Sequence, residues 1–334
     1  GSVSINKISH EDIFLGVLSS GSNGESKIIW KDYQSWFSAF PYQSSVFGIN
    51  ENDTIFVVDA LAYSANLNTV LHALWLGATL IIDKLQNASN WDYLWQKTAV
   101  SSLFLVPSHL RLISEKNFQN SQIKSIVTAG EKLSTKLAAK IFEKYPDALV
   151  TEYYGAAELG HISYIQGKDL LTYNGSVGEA FPEVKISIKD NKIYVESPFV
   201  SPEYRNGSTT VGDYGILDEN GHLHLLGREG RMFNRRGLNI FAQEIENASL
   251  EHPLITEAVA IEVNDTILLY LTKKDPTSNI DLRTYLLKKL PPQKLPNRII
   301  FLNKIPQNSS GKVDYRALTK IPVTEDESEL IGLN

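Results

Sequence analysis

Short apolar runs alternate with amphipathic stretches through the first half of the chain. Ile13-Phe14-Leu15-Gly16-Val17-Leu18 reads as a buried strand, as do 54–58, 78–82, 102–106 (ended by Pro107), 123–127 and 149–153. Between these runs, apolar residues at helical spacing predict helices over 68–76, 90–98 and 108–114, and from Ser134 to about Lys144. Tyr33, Trp36, Phe37 and Phe40 also stand at helical spacing and predict one more helix, ended at Pro41. Strands alternating with helices argue for a layered α/β unit with a mostly parallel sheet.

The pattern changes after about Ser163. Short alternating strands at 186–188 and 193–195 flank Asp190-Asn191, and those at 215–217 and 222–226 flank Asp218-Glu219-Asn220-Gly221, a good hairpin turn. From Gly230 onward, helices from about Gln243 and over 281–290, with strands at 258–262 and 267–271, predict a small α+β domain. The expected organisation is an N-terminal core over 1–229, made of an α/β layer (1–163) and a small β unit (164–229). A separate mobile C-terminal domain follows over 230–334.

Composition narrows the field. A chain of 334 residues with 43% hydrophobic content can bury cores for two or three units. The net charge of -6 argues against a polyanion surface, so no nucleic-acid partner is expected. With no cysteine there is no disulfide, no thiolate metal site and no thiol nucleophile, which fits a cytoplasmic protein. The longest apolar region, 69–82, includes His72 and is too short to span a bilayer. Oligomeric state is not readable. Gly1-Ser2 replaces an initiator methionine, so the chain reads as either naturally short or truncated at the front.

Candidate chemistry starts at Ser19-Ser20-Gly21-Ser22-Asn23-Gly24-Glu25-Ser26-Lys27. Two glycines let backbone amides approach an anion, serine hydroxyls add donors, and Lys27 adds a mobile charge. A Walker loop is excluded, because Ser22 stands where its lysine must be. On this stretch alone a polar surface turn is the simpler reading. Four further segments change that: Gly130-Glu131, Tyr154-Gly155-Ala156-Ala157-Glu158, the stretch from Gly212-Asp213 to Arg228, and Pro306-Gln307-Asn308-Ser309-Ser310-Gly311-Lys312.

In this order the five segments resemble the adenylate-forming superfamily of acyl-CoA synthetases, peptide-synthetase adenylation domains and firefly luciferase. The resemblance covers nearly the whole chain. It implies that Ser19, Ser20, Gly21, Ser22, Gly24 and Lys27 hold the β- and γ-phosphates of ATP. Gly130 and Glu131 would line the purine and Tyr154 would stack on it, beside Gly155, Ala156 and Ala157. Glu158 would be the catalytic magnesium ligand, Asp213 would accept from the ribose hydroxyls, and Arg228 would add a sugar or phosphate contact. Lys312 would be the catalytic lysine, bridging the carboxylate and the α-phosphate. Gly230 would be the hinge, and Arg236 and Gly237 would border the thiol channel. Arg231 and Arg235 extend Arg236 into a basic cluster suited to phosphates. Tyr63, Ser64, His109 and His161 would line the acyl pocket.

The implied reaction is ATP-dependent acid–thiol ligation. A carboxylate attacks the α-phosphate, pyrophosphate leaves, and a thiol takes the acyl group from the adenylate. ATP, Mg²⁺ and coenzyme A are the implied cofactors, with carrier-protein phosphopantetheine as the alternative acceptor. The substrate would be a small carboxylic acid of fatty, aryl or succinylbenzoate type. A different alternative is a non-catalytic nucleotide- or acyl-binding relative. Several positions depart from the pattern: Ala157 for threonine, Glu25 and Ser26 for Lys and Pro, and Asn234 for a lysine tied to the thioester step. Only 18 residues precede Ser19, where relatives carry a subdomain.

Overall fold

The computed structural model describes residues 12–20, 26–59, 64–116, 122–205, 207–235, 237–307 and 313–321. Two compact units divide the chain: 1–211 with 215–225, and 212–214 with 226–334.

The first unit opens on an antiparallel hairpin of β1 (Ile13–Ser20) and β2 (Ser26–Asp32). Side chains alternate across it, so Val17 and Ile29 turn inward onto Trp36 and Phe40 while Phe14, Leu18 and Ile28 stay exposed. Its main element is a seven-stranded sheet of β3 (Thr54–Val58), β4 (Thr79–Asp83), β5 (Ser102–Phe104), β6 (Ser125–Thr128), β7 (Leu149–Ala156), β8 (Gly160–Gln166) and β9 (Glu179–Ala180). The spatial order is β4-β3-β5-β6-β7-β8-β9, parallel from β4 through β7 and antiparallel beyond. Both faces are covered, so β3 is apolar and buried from Ile55 to Val58. Ile55 and Val57 join a core with Phe47, Phe181 and Phe199; Phe56 and Val58 join one with Trp91, Trp95 and Ile141.

A second sheet follows, in the order β10 (Lys185–Lys189), β11 (Lys192–Glu196), β12 (Asp213–Leu217) and β13 (Leu223–Arg228). The second unit carries a two-stranded ribbon of β14 (Met232–Arg235) and β15 (Leu238–Phe241). It also carries a three-stranded sheet of β16 (Ile255–Val263), β17 (Thr266–Lys273) and β18 (Arg298–Phe301). Helix Ala242–Leu250 buries Ala242, Ile245 and Ala248 with Leu269 and Leu271 on one side of that sheet. Helix Tyr315–Leu318 packs on the other, where Tyr270 Oη donates to Leu318 O at 3.1 Å.

The layered α/β class and the small separate C-terminal sheet are as the sequence predicts. The front differs. The aromatic run forms a short helix, Tyr33–Trp36, and Pro41 lies in the first turn of a new helix, Phe40–Phe47. Proline is tolerated there because the first N–H groups of a helix have no partner to lose. β2 was also missed: it holds two lysines and an aspartate, and its apolar face shows only once β1 is alongside.

Candidate active site

Because β3 through β7 are parallel, their C-terminal ends share one edge of the sheet. That edge collects Ser64 after β3, His109 after β5, Gly130 and Glu131 after β6, and Tyr154 to Glu158 at the end of β7. β4 and β5 lie on opposite sides of β3, so the strand order reverses there, where open α/β sheets bind ligands. His109 lies in the first turn of helix Pro107–Glu115, its ring edge-on to that of Trp91 with 6.1 Å between centroids. Burial lowers its pKa, and the nearby charge of Asp59 opposes the shift.

Glu158 occupies the turn between β7 and β8, and that turn is clamped. Lys31, on β2, has no exposed surface. Its ammonium donates to Ala157 O and, at 2.7 Å, to Ser201 Oγ. Ser201 N donates to Glu158 O at 2.9 Å. The Ala157 side chain packs with Val17, Ile29 and Trp36, so the residue that replaces threonine fills an apolar socket. Burial pushes the Lys31 pKa down to about 8, against the pull of Glu158, Asp32 and Glu203. Next along β2, Asp32 caps helix Tyr33–Trp36 through Ser35 N at 2.8 Å. It also accepts both Arg205 Nη groups, at 2.6 and 2.7 Å. Burial pushes the Asp32 carboxyl up, but hydrogen bonds from Arg205 and Ser35 outweigh it, and the net shift is downward.

Glu152, on β7, is buried. It accepts Leu133 N at 2.8 Å and pairs with Lys132 at 2.5 Å, and Lys132 also reaches Ser176 O. The loop after β6 is thereby tied to β7, with Gly130 and Glu131 left exposed at its rim. Gly130 has φ of 89°, a conformation that favours glycine.

In the second unit, Asp213 is buried and lies 2.8 Å from the Nε of the exposed Arg228. Gly230 sits in the exposed turn Glu229–Arg231. The basic cluster is not a free field of charge. Arg231 pairs with Glu246 at 2.5 Å and lies over the Tyr315 ring. Arg235 donates to Gln293 O and Leu295 O, both at 2.9 Å. Asn234 Oδ1 accepts Gly237 N at 3.1 Å and Asn234 Nδ2 donates to Asn239, closing the turn between β14 and β15.

His161 lies inside the core of the first unit, among Phe47, Tyr153 and Phe181, with Gln43 at 3.4 Å. Gly21, Ser22, Gly24, Tyr63, Arg236 and Lys312 fall outside the described residues, as do the side chains of Ser19 and Ser20. Lys27 is exposed on β2, and a bridge between Gln307 and Val313 brackets the Lys312 segment.

The family model described as AMP-binding enzyme matches residues 2–204, and that for the AMP-binding enzyme C-terminal domain matches 244–312. The chain belongs to the AMP-binding enzyme family. An uncharacterized acyl-CoA ligase of Bacillus subtilis, YhfT, is 29% identical over 276 residues, covering 77% of this chain and 57% of the relative. The chain thus spans a little over half the length of the curated relatives it matches. Among solved structures, the o-succinylbenzoate CoA synthetase MenE of Bacillus subtilis, in complex with its acyl-adenylate, superposes with a TM-score of 0.82 at 23% identity, covering 94% of this chain and 70% of that one. The amide bond synthetase McbA of Marinactinospora thermotolerans gives 0.81 at 19% identity, covering 93% and 70%. Both establish the AMP-binding enzyme fold for this chain.

Sequence reasoning missed Lys31, Asp32, Ser201 and Arg205. The available signal was a Lys-Asp pair directly after the apolar run Ile28-Ile29-Trp30, which a buried position must neutralise.

Proposed function

We propose that the chain carries the nucleotide and acyl sites of an AMP-forming acid–thiol ligase, with coenzyme A as acceptor. The observation that carries this reading is the clamped Glu158 turn at the ligand-binding edge of the sheet. Its carboxylate stands near that of Glu203, and burial together with the Glu158 charge raises the Glu203 pKa. Hard carboxylate oxygens of this kind fit magnesium, which takes one or two carboxylates and otherwise keeps waters and phosphate oxygens. Glu158 would hold the ion, and the ion when bound would neutralise phosphate charge.

The chain's own residues would do the rest by positioning. The exposed Gly130 and Glu131 rim and Tyr154 would take the purine, and Asp213, oriented by Arg228, would accept the ribose hydroxyls. The loop from Ser19 to Lys27 would hold the departing phosphates. Lys312 would join the attacking carboxylate to the α-phosphate, and Gly230 would be the hinge for the thiol step. Ser64 and His109 would border the acid. The synthetase MenE, which binds an acyl-adenylate and, in another complex, ATP with magnesium, supports this assignment by likeness of fold.

A second acceptor stays in view on one observation. Asn234 closes the turn between β14 and β15 where many relatives have a lysine tied to the thioester step, so the acceptor step is tested apart from adenylation. Carrier-protein phosphopantetheine is the acceptor to compare with coenzyme A. Acid-dependent exchange of labelled pyrophosphate into ATP tests the first half-reaction across aliphatic, aryl and amino acids. Exchange with at least one acid is expected. Nucleotide binding without exchange for any acid would favour a non-catalytic relative.

A further inference from the structure

We propose that Lys31 is a positioning residue that ties the strand leaving the phosphate loop to the Ala157–Glu158 turn and so sets where Glu158 meets magnesium and the ATP phosphates. The inference rests on the ligase reading above and adds a residue that the motif pattern does not contain.

A lysine is among the least favourable side chains to bury, because its ammonium must give up water. At position 31 it is nonetheless buried and directs its donors onto two groups, Ala157 O and Ser201 Oγ. Ser201 completes the arrangement. Its hydroxyl lies 3.3 Å from Ala157 O, and its N–H holds Glu158 O at 2.9 Å. The carbonyls of two successive turn residues are therefore gripped from one side, immediately around the Glu158 side chain. An apolar residue at 31 would fill the same space, but it would leave Ala157 O without this donor.

The neighbours of Lys31 on β2 dock onto the same segment. A backbone hydrogen bond from Trp30 reaches the Glu203 carboxylate, and Asp32 takes the bidentate Arg205 pair. Arg205 Nε also donates to Val200 O at 3.1 Å. Three consecutive residues of the strand that leaves the loop thus register against 200–205, and Lys31 alone reaches through to the turn. The charged groups that bear on it are Glu158, Asp32, Glu203 and Arg205. The three carboxylates favour its charged form, and burial opposes it.

Outer-shell groups that orient a metal ligand commonly change metal affinity by about 10- to 100-fold when removed. Lys31→Met keeps the stem and removes every donor. Two readouts separate a positioning role from simple support. Hydrogen exchange on the ligand-free protein should show the amides of 156–160 exchanging about tenfold faster, with those of β5 and β6 unchanged. Calorimetry should show Mg·ATP binding weakened by about tenfold, with ATP in EDTA bound as in the wild type. Ser201→Ala, a milder change, should shift both in the same direction by about threefold, and decides the matter if Lys31→Met does not fold. Wild-type protection over 156–160 in the variants overturns the inference. So does lost protection with unchanged Mg·ATP affinity, which would make Lys31 a scaffold residue only. A wild-type protein that binds no Mg·ATP would instead overturn the ligase reading and with it the role toward magnesium, the exchange data still deciding whether Lys31 holds the turn.

Discussion

The Lys31 ammonium lies 2.7 Å from the Ser201 hydroxyl, a contact that spans 170 residues of sequence. Together the two residues hold the turn that presents Glu158. A strand from the front of the chain thus supports the candidate metal ligand. The other supports of the site behave in ways that can be measured.

Lys132 compensates a buried carboxylate. Burial raises the Glu152 pKa, and the Lys132 pair and the Leu133 N–H work against that rise. Lys132→Met would leave the anion unpaired and destabilise the protein by about 3 kcal/mol at pH 8. A carboxyl with a raised folded pKa costs stability when it ionises, so the deficit should shrink as the pH is lowered from 8 to 5. Urea unfolding of both proteins at the two pH values checks this.

His161 and His72 are buried neutral. Burial lowers His161 to about 3, with the charges of His72 and Lys31 adding to the effect, and lowers His72 to about 4. Both folded values lie below the unfolded value of about 6.5. Their contribution is therefore complete above pH 6.5 and is lost as pH falls toward 4, because the unfolded chain takes the protons first. Each should account for about 2 kcal/mol of lost stability at pH 5 relative to pH 8. His161→Phe should flatten the stability–pH curve between pH 5 and 6.5, read by chemical denaturation.

Gly155 is required by space. A Cβ there would meet Gly160 O at 2.5 Å, across the β7–β8 pair. Gly155→Ala should destabilise by about 2 kcal/mol and force the two strands apart beside Glu158. The expected result is a lower urea midpoint together with weaker Mg·ATP binding; an unchanged midpoint would contradict the close approach.

Asp213 is proposed as the ribose acceptor, with Arg228 fixing its orientation at 2.8 Å. Asp213→Asn should weaken ATP binding about tenfold, the scale of one charge-assisted hydrogen bond. The same variant should bind 2′,3′-dideoxy-ATP as the wild type does, since that nucleotide has no ribose hydroxyl to lose. Calorimetry with both nucleotides separates this from a general loss of folding.

The sequence carried the sheet because its signals are local. Apolar runs such as Thr54–Val58 and Ser102–Phe104 declare buried strands without reference to their partners. Glu158 and Asp213 were legible as candidates through their motifs, and strand order accounts for why Glu158 lies on the ligand edge. The clamp was not legible. Lys31, Ser201 and Arg205 meet only after β2 has paired with β1 and the 200–205 segment has returned to it. Pro41 misled for a similar reason: the residue that ends one helix is equally at home opening the next. The partners of Arg231 and Arg235 are also distant in sequence, so the sequence did not show that these two arginines are held within their own domain.

The central claim is attack of a carboxylate on the α-phosphate. It is tested most directly with an acid labelled with ¹⁸O in its carboxylate, supplied with ATP, magnesium and coenzyme A. One labelled oxygen should appear in the released AMP and none in pyrophosphate, because the attacking oxygen stays on phosphorus when the thiol takes the acyl group. Lys312→Ala should suppress this transfer. Unlabelled AMP, or ADP and phosphate as products, would contradict the account.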